Sequence, residues 1–501
     1  MSKARPLVTL LALALAGCSG TAHGPQARTE PESAKRTAGR IEFEPCALSG
    51  KLAAQTLDGM CGKLAVPLDP AKPTGAKIDL RVVWLRPADR VDPAADPVFF
   101  LAGGPGQAAS DYASTVYGAL HEVLKSRSVF LVDQRGTGKS APLDCPPALR
   151  DEYKDRDDVA SIAEYAGKCA VTQKNDPRLF TTTVAVEDLD TVRKALGAEK
   201  VDLVGVSYGT RVAQQYAMRH PAQTRAVVLD GVLPNDVVAG GEFARTFERS
   251  LQMRDKACAT DPVCRKRYPQ DLRTQLATLK RRLAAAPVDV EYRDPATGES
   301  KHDKLTAQTV VGLTQLFSYV PEAAALLPVV VDEAIHERYG PLTSLASLGG
   351  ESVAGSMNRG MQWSVICAED VDRYVPDPAD ANTALGSDMA DLFFAACKAW
   401  PKGTRPPDFS SPLASKVPVL LMSGELDPVT PPYYAERVAR TLPNSKAVVL
   451  RGQGHNVMGT GCMPKLIGKF IETANAKALD TKCLETVAPV PPFTSFNGWE
   501  P

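Results

Sequence analysis

A serine flanked by glycines is the first feature of this 501-residue chain that could do chemistry. Residues 205–209 read Gly-Val-Ser-Tyr-Gly. They follow the apolar run VDLV and precede TRVAQQYAMRHP, a helix-compatible segment that Pro221 would stop. The pattern Gly-x-Ser-x-Gly is typical of a sharp strand-to-helix turn that exposes a nucleophilic serine above a sheet. We therefore predict that Ser207 is a nucleophile.

A serine hydroxyl is a weak nucleophile, so it needs a base that a carboxylate orients. Asp427 follows the apolar run VPVLLMS, in GELDPVTPP, and His455 follows AVVL, in GQGHN. The chain has only six histidines, and this one stands where a strand ends. The order serine, aspartate, histidine matches a known arrangement of such a triad. We predict that Asp427 orients His455 as the base, whereas Thr430 could either bond the aspartate loop or cap a helix.

Attack on a carbonyl also requires two N–H donors for the oxyanion. One donor is expected from the backbone of Tyr208, the residue after the serine. The other is expected from the glycine-rich turn AGGPG at 102–106, after the apolar run PVFFL, and Gly104 is the favoured residue.

Short apolar runs that each end in a glycine-rich turn must position these residues. They are PVFFLAGGPG, SVFLVDQRG, KVDLVGVSYG and RAVVLDG, and later VPVLLMSGELDP and KAVVLRGQGH. Such runs fit strands buried on both faces of a parallel sheet, and helical segments such as VAVEDLDTVRKALG lie between them. KLAVPLD and KIDLRVVWL predict a hairpin before the first of them. The alternation of strands and helices predicts an α/β fold with a mostly parallel sheet.

The strand pattern lapses between about 236 and 360, where the composition favours helices, and we interpret this stretch as an inserted helical lid. The predicted organisation is a signal peptide at 1–17, a flexible tether at 18–40, core segments at 41–235 and 361–485 that flank the lid, and a C-terminal tail at 486–501.

The N-terminus predicts export. Lys3 and Arg5 precede the short apolar run LVTLLALALAG, which suits a secretion signal. The run ends in LAGC, which resembles a bacterial lipoprotein box. The resemblance implies that Cys18 becomes the lipidated N-terminus and anchors the protein to a membrane, the outer one if the host has one. An ordinary secretion signal with an accidental cysteine is the alternative.

Outside the cytoplasm the other ten cysteines favour disulfides over metal or thiol chemistry. Ten cysteines allow many pairings, and the sequence does not decide among them. Sequential pairing, 46–61, 145–169, 258–264, 367–397 and 462–483, is the simplest arrangement, because each loop is then short. None of these cysteines forms a Cys-x-x-Cys pair, so we predict no metal site.

Composition and charge exclude further classes. Lys plus Arg and Asp plus Glu both total 58, which argues against a nucleic-acid partner. The segment GTGKS at 136–140 ends like a phosphate-binding loop, but Asp133 stands where that pattern needs its first glycine, so we predict no nucleotide site.

The motifs GGPG, DQRGTGKS, GVSYGT, GELDPVTPP and GQGH together resemble the prolyl iminopeptidase and tripeptidyl aminopeptidase branch of the α/β-hydrolases, across about residues 41 to 485. The resemblance implies the α/β-hydrolase fold, no cofactor, and supporting roles for Asp133 and Arg135 in fixing the oxyanion loop. Ala102 stands where single-domain iminopeptidases have a histidine, so a proline preference does not carry over.

The resemblance also implies release of residues from free N-termini of peptides. An exopeptidase must hold the substrate ammonium group, and Glu369 and Asp370, in WSVICAEDV, are the predicted candidates. A carboxylesterase with the same triad is the alternative function, and a lipid-anchored binding protein without activity is a more distant one.

Overall fold

The computed structural model describes residues 34–49, 56–88, 92–153, 156 and 158–498. The predicted signal peptide, Cys18 and most of the tether lie outside the described residues. Lys35–Pro501 form one compact unit, and the other unit, Met1–Ala34, falls almost wholly outside the described part of the chain.

Ten strands of the described residues form one large sheet and two more form a hairpin. The strands are β1 (Arg36–Ala38), β2 (Ile41–Leu48), β3 (Leu57–Pro67), β4 (Lys77–Leu85), β5 (Val98–Leu101), β6 (Val129–Val132), β7 (Val201–Val206), β8 (Thr224–Asp230), β9 (Val288–Arg293), β10 (Ser300–Leu305), β11 (Val419–Gly424) and β12 (Ser445–Leu450).

The large sheet has the order β1-β2-β3-β4-β6-β5-β7-β8-β11-β12. Strands β1 to β4 are antiparallel and β4 joins β6 antiparallel, whereas β6, β5, β7, β8, β11 and β12 run parallel. Every residue of β5, β6, β7 and β11 is buried, as expected for apolar runs with helices on both faces. The predicted α/β fold with a mostly parallel sheet is confirmed, as is the hairpin of β3 and β4.

Sixteen α-helices lie in the described residues. They are α1 (Ala113–Ala119), α2 (Pro147–Tyr153), α3 (Val159–Ala170), α4 (Thr182–Leu196), α5 (Tyr208–Arg219), α6 (Phe243–Thr260), α7 (Pro262–Arg267), α8 (Leu272–Ala285), α9 (Ala307–Phe317), α10 (Pro321–Ala324), α11 (Leu327–Ile335), α12 (Gly340–Ser356), α13 (Arg359–Glu369), α14 (Asp388–Phe394), α15 (Pro432–Ala439) and α16 (Met463–Thr473).

Helix α4 illustrates how the sequence determines the helical layer. Val186, Leu189, Val192 and Leu196 recur at helical spacing, and all four are buried against the sheet. The helix ends at Gly197, whose φ of 78° lies in the left-handed region where glycine carries no side-chain penalty. The predicted face and end of this helix are confirmed.

The predicted lid range contains helices α6 to α12 and the hairpin of β9 and β10. These elements have a hydrophobic cluster of their own, which includes Phe247, Leu279 and Leu327. The hairpin differs from the helical interpretation. Its segment VDVEYR alternates, with Val290 and Tyr292 buried and their neighbours not, which is the period of a strand.

Five disulfides join the ten cysteines in the predicted sequential order: Cys46–Cys61, Cys145–Cys169, Cys258–Cys264, Cys367–Cys397 and Cys462–Cys483. The simplest of the pairings that the sequence left open is therefore the one in the structure.

Two features are absent from the described residues. No group of histidine, cysteine and acidic side chains there has an arrangement that could hold a metal ion. None of the helices in that part of the chain combines the length and apolar character that a bilayer crossing needs.

Candidate active site

Ser207 stands at the turn between β7 and α5. Its backbone has φ 56° and ψ −123°, a strained conformation for a residue with a side chain, and such strain is characteristic of a nucleophile elbow. The flanking glycines make the turn possible. A Cβ on Gly209 would lie 2.1 Å from the carbonyl oxygen of Leu101, and one on Gly205 would lie 2.4 Å from that of Gly209. Only glycine fits at either position.

Asp427 and His455 form a direct hydrogen bond at the ends of β11 and β12. The imidazole Nδ1 lies 2.8 Å from Asp427 Oδ2. Because an ionised carboxylate only accepts, Nδ1 carries the proton and Nε2 is left with a lone pair. Both residues are almost fully buried, with exposed side-chain fractions of 0% and 4%.

Three further donors hold the carboxylate of Asp427. The backbone N–H groups of Val429 and Thr430 donate to Oδ1 at 2.9 and 2.8 Å. The hydroxyl of Thr430 donates to Oδ2 at 2.8 Å and lies 3.1 Å from the imidazole Nδ1. Of the two roles open to Thr430, the structure therefore shows the bond to the aspartate.

The electrostatics of the pair favour a charged imidazole. Burial opposes the charge on Asp427, but His455 and the N–H donors outweigh it, so the pKa of this carboxyl lies below its ordinary value. Burial also opposes charge on the imidazole, yet the Asp427 carboxylate outweighs it and the pKa of His455 is raised. This arrangement stabilises the imidazolium that forms when the base accepts a proton.

Tyr319, from the predicted lid, completes the surroundings of the base. Its carbonyl accepts the backbone N–H of His455 at 2.7 Å, and its ring packs edge-on against the imidazole at 5.0 Å between centroids. No spacing or motif in the sequence points to Tyr319, because only tertiary packing brings the lid to the histidine.

Ser207 and the imidazole flank the same peptide at the end of β8. The N–H of Ser207 donates to the carbonyl of Asp230 at 2.8 Å, and a Cβ on Gly231 would lie 3.0 Å from Cε1 of His455. The Ser207 hydroxyl forms no hydrogen bond with any described residue. In enzymes without substrate the bond from nucleophile to base is often long and tightens in the complex. The structure thus pairs Asp427 with His455 directly and places Ser207 beside them.

The glycine-rich turn after β5 approaches the serine closely. A Cβ on Gly103 would lie 3.0 Å from Cβ of Ser207, and Gly104 has a φ of 107°, which a residue with a side chain rarely adopts.

The glycine-rich turn also contacts the segment that follows α12. Gln107 and Met357 form an antiparallel bridge, and the N–H of Asn358 donates to the carbonyl of Gly106 at 2.9 Å.

Tyr208, the other predicted oxyanion donor, is the first residue of α5 and its ring is buried. Its hydroxyl lies 2.5 Å from that of Thr182, and the amide of Gln134 donates to it at 3.2 Å. These contacts fix the position of the Tyr208 side chain. Because Tyr208 is the first residue of α5, they also help to fix its backbone N–H.

Asp133 and Arg135 lie in two different buried networks. Asp133 accepts the backbone N–H of Ser110, at 2.8 Å, and its hydroxyl, at 3.0 Å, a few residues after the glycine-rich turn. A Cβ on Gly138 would lie 2.4 Å from Asp133 Oδ2, so the GTGKS segment is a tight turn folded over this acid. Arg135 instead binds Asp188 of α4 through two hydrogen bonds of 2.7 Å, away from the oxyanion turn. Of the two, only Asp133 contacts the chain that follows the predicted oxyanion loop.

The two acids predicted to hold a substrate ammonium group are fully buried. Asp370 accepts from Arg211 at 2.9 Å, from Arg373 at 2.9 Å and from a backbone N–H. Glu369 accepts from the N–H and hydroxyl of Thr182 at 2.7 and 2.8 Å. Burial and the nearby charge of Asp370 raise the pKa of Glu369 to about 7. Neither carboxylate faces open space in this structure, and both take part in internal hydrogen-bond networks. The positions of these acids in the sequence do not reveal that they are buried.

Comparisons with known proteins agree with this geometry. The profile of the alpha/beta hydrolase fold family matches residues 96–461. Serine protease Hip1 of Mycobacterium tuberculosis (strain ATCC 25618 / H37Rv) is 25% identical over an alignment 514 positions long, which covers 94% of this chain and 96% of the relative. Tripeptidyl aminopeptidase of Streptomyces lividans is 25% identical, over 90% of this chain and 88% of its own. Proline iminopeptidase of Xylella fastidiosa (strain 9a5c) is 30% identical over a shorter stretch, 28% of this chain and 34% of its own.

Proposed function

Because the chain belongs to the alpha/beta hydrolase fold family, we propose that it is a serine peptidase that releases residues or short peptides from free N-termini of peptides. The observation that carries the proposal is the 2.8 Å bond from His455 to Asp427, next to a strained serine at a strand-to-helix turn. This combination provides a base with the correct tautomer and an accessible hydroxyl, the requirements of acyl transfer.

The proposed reaction proceeds through an acyl-enzyme. Ser207 Oγ attacks the scissile carbonyl while Nε2 of His455 takes the hydroxyl proton, and Asp427 stabilises the imidazolium. The N–H groups of Gly104 and Tyr208 donate to the oxyanion. The imidazolium then gives its proton to the leaving amine, and water, activated by the same imidazole, releases the acyl group from the serine.

The relatives favour a peptide substrate over an ester. Two relatives that align along most of this chain are named a serine protease and a tripeptidyl aminopeptidase. A cut near the N-terminus requires recognition of an ammonium group. With Glu369 and Asp370 occupied internally, we assign that recognition to neither acid in the conformation seen here.

We also propose that the protein is exported and anchored through Cys18. Five disulfides are expected in an oxidising compartment and rare in the cytoplasm, which supports export. Metabolic labelling with a radioactive fatty acid tests the anchor. Label in the full-length protein and none in Cys18→Ala supports it, whereas an unlabelled full-length protein contradicts it.

A substrate panel tests the peptidase activity. Peptide anilides of one to three residues with a free N-terminus are compared with their N-acetylated counterparts and with p-nitrophenyl esters, and the products are identified by mass spectrometry. The proposal expects acetylation to reduce kcat/KM strongly. Equal rates on both peptide forms would contradict the exopeptidase assignment, and hydrolysis of the esters alone would identify a carboxylesterase.

Covalent labelling by a fluorophosphonate tests the nucleophile without assuming a substrate. We expect the wild type to be labelled at Ser207 and Ser207→Ala to remain unlabelled. A folded wild-type protein that does not react would instead indicate a binding protein without activity.

A further inference from the structure

Asp230 connects the two halves of the proposed active site. It is the last residue of β8, which lies in the sheet between β7, the strand before Ser207, and β11, the strand before Asp427. Its carbonyl accepts the N–H of Ser207 at 2.8 Å. Its carboxylate accepts the N–H groups of Val457 and Met458, each at 2.8 Å to Oδ2. One buried residue thus contacts both the nucleophile turn and the turn that follows the base.

The turn after His455 needs such an anchor. Asn456 has a φ of 70°, a left-handed conformation that costs free energy for a residue other than glycine. The next two N–H groups converge on the Asp230 carboxylate, which satisfies both donors in a site with no exposed surface. The Asp230 carboxylate therefore stabilises the turn in the conformation that presents His455.

Asp230 also adds a second negative charge near the imidazole. Among the described residues, two acids, Asp427 and Asp230, act on His455, and the ring of Tyr319 packs against the imidazole. No arginine or lysine of the described residues forms a salt bridge with Asp230. Burial raises the pKa of this carboxyl to about 6, even though the two N–H donors favour its charged form.

We propose that Asp230 is a positioning residue for the reaction: it sets the distance between Ser207 and His455 and supports the charged form of the base. The inference depends on the proposed triad, because it assigns a role that only a reaction at these two side chains would use. Asp230 contacts no reacting atom, so its effect is expected in kcat and in the pH profile rather than in KM.

Two substitutions separate position from charge. Asp230→Asn removes the charge and places an NH₂ group against a backbone donor, so we expect kcat to fall about ten- to a hundredfold, as for a small misplacement of reacting groups. The acid limb of the kcat/KM profile should move to lower pH, because the imidazolium loses a favourable charge. Asp230→Glu keeps the charge but moves the carboxylate by one methylene, so kcat should fall while the acid limb stays in place.

Asp202→Asn is the matched control. Asp202 is an equally buried aspartate at the start of β7, and it pairs with Arg225 at 2.7 Å, at the other end of the strand from Ser207. Loss of this carboxylate is expected to lower stability and to leave the acid limb where it is in the wild type. An equal shift in this variant would show that the effect at Asp230 is a general result of removing a buried acid.

The outcomes also distinguish this inference from the proposed function. If Ser207→Ala retained activity, the proposed triad itself would be refuted. If Ser207→Ala were inactive but Asp230→Asn had the kcat and the acid limb of the wild type, only the role of Asp230 would be refuted. If the Asp230 variants do not fold, NMR of Ser207→Ala provides the test. The amide resonances of Val457 and Met458 should titrate together with one carboxyl group, and pH-independent resonances would contradict the inference.

Discussion

At the scale of single residues, a hydroxyl at position 207 and an imidazole at position 455 carry the proposed bond-making steps. Ser207→Ala and His455→Ala should each lower kcat on the order of 10⁴- to 10⁶-fold, and Asp427→Asn by about 10⁴-fold through the wrong tautomer. Steady-state kinetics on the best anilide substrate measures these losses. Ser423→Ala is the matched control, because that buried hydroxyl on β11 has no partner among the described residues and its removal should leave kcat unchanged. Near-normal activity in any of the triad variants would refute the assignment.

The pH profile follows from the raised pKa of His455. The base works in its neutral form, so kcat/KM should fall as the pH drops through a pKa above the ordinary histidine value of about 6.5. Replacement of Asp427 by asparagine removes the charge that raises this pKa and should move the limb to lower pH. Rates measured from pH 5 to 9 test both statements, and a wild-type limb well below the ordinary value would contradict the charge arrangement described here.

Thr430 supports the triad through one hydroxyl bond to Asp427. Thr430→Val keeps the shape of the side chain but removes that donor, and a hydrogen bond to a charged group contributes about 1.5–3 kcal/mol. We expect kcat to fall roughly ten- to a hundredfold. Thr430→Ser retains the hydroxyl and should stay within a few-fold of the wild type. Similar losses in both variants would indicate that the methyl group matters as much as the bond, and would contradict a specific role for the hydroxyl.

Residue types and their order led to the prediction of Ser207, Asp427 and His455 as a triad, because each follows a recognisable buried strand, and the structure brings the aspartate and the histidine into direct contact. The acids at 369 and 370 show the limit of this reasoning. A carboxylate on a helix looks the same in sequence whether it faces a substrate or an internal arginine. Here Arg211 and Thr182, which contact these acids, lie more than 150 residues away in the chain.

At the scale of elements, the close contact of β5, β7 and α5 makes the nucleophile turn rigid. A methyl group at Gly209 would meet the backbone of β5, so Gly209→Ala should destabilise the protein by at least about 2 kcal/mol and lower activity. Gly312→Ala is the control. Gly312 lies inside α9 with nothing within 4 Å of its added Cβ, so this change should stabilise by about 0.5–1 kcal/mol. Chemical unfolding measures both, and equal behaviour of the two variants would contradict this account of the turn.

The elements of the core were predictable because apolar runs and glycine turns repeat in a regular order. The lid was harder. Its hairpin of β9 and β10 consists of two short segments, and these segments lie between long helices. The average composition of the whole range favours helices, so the two short strands were not recognised. The way in which Tyr319 reaches the base was not predictable either, since it depends on how the lid packs against the sheet.

At the scale of the whole molecule, five short covalent loops stabilise the fold. The chain-entropy relation assigns roughly 3.5 kcal/mol to the Cys367–Cys397 link, with a separation of 30 residues, and roughly 2 kcal/mol to Cys258–Cys264, with a separation of 6. Replacing both cysteines of the longer link by alanine should therefore reduce the free energy of unfolding more. Denaturant titration of the two double variants tests this order, and a larger loss for the shorter link would contradict it.

The bridge between Gln107 and Met357 has a consequence for how this enzyme could change. The segment that follows helix α12 of the predicted lid pairs through this bridge with the glycine-rich loop predicted to hold the oxyanion. A shift of helix α12 would therefore be expected to move the oxyanion donors. Alterations that reshape the lid for a different peptide would then alter turnover at the same time. Substrate preference and turnover rate are then expected to change together when the predicted lid changes.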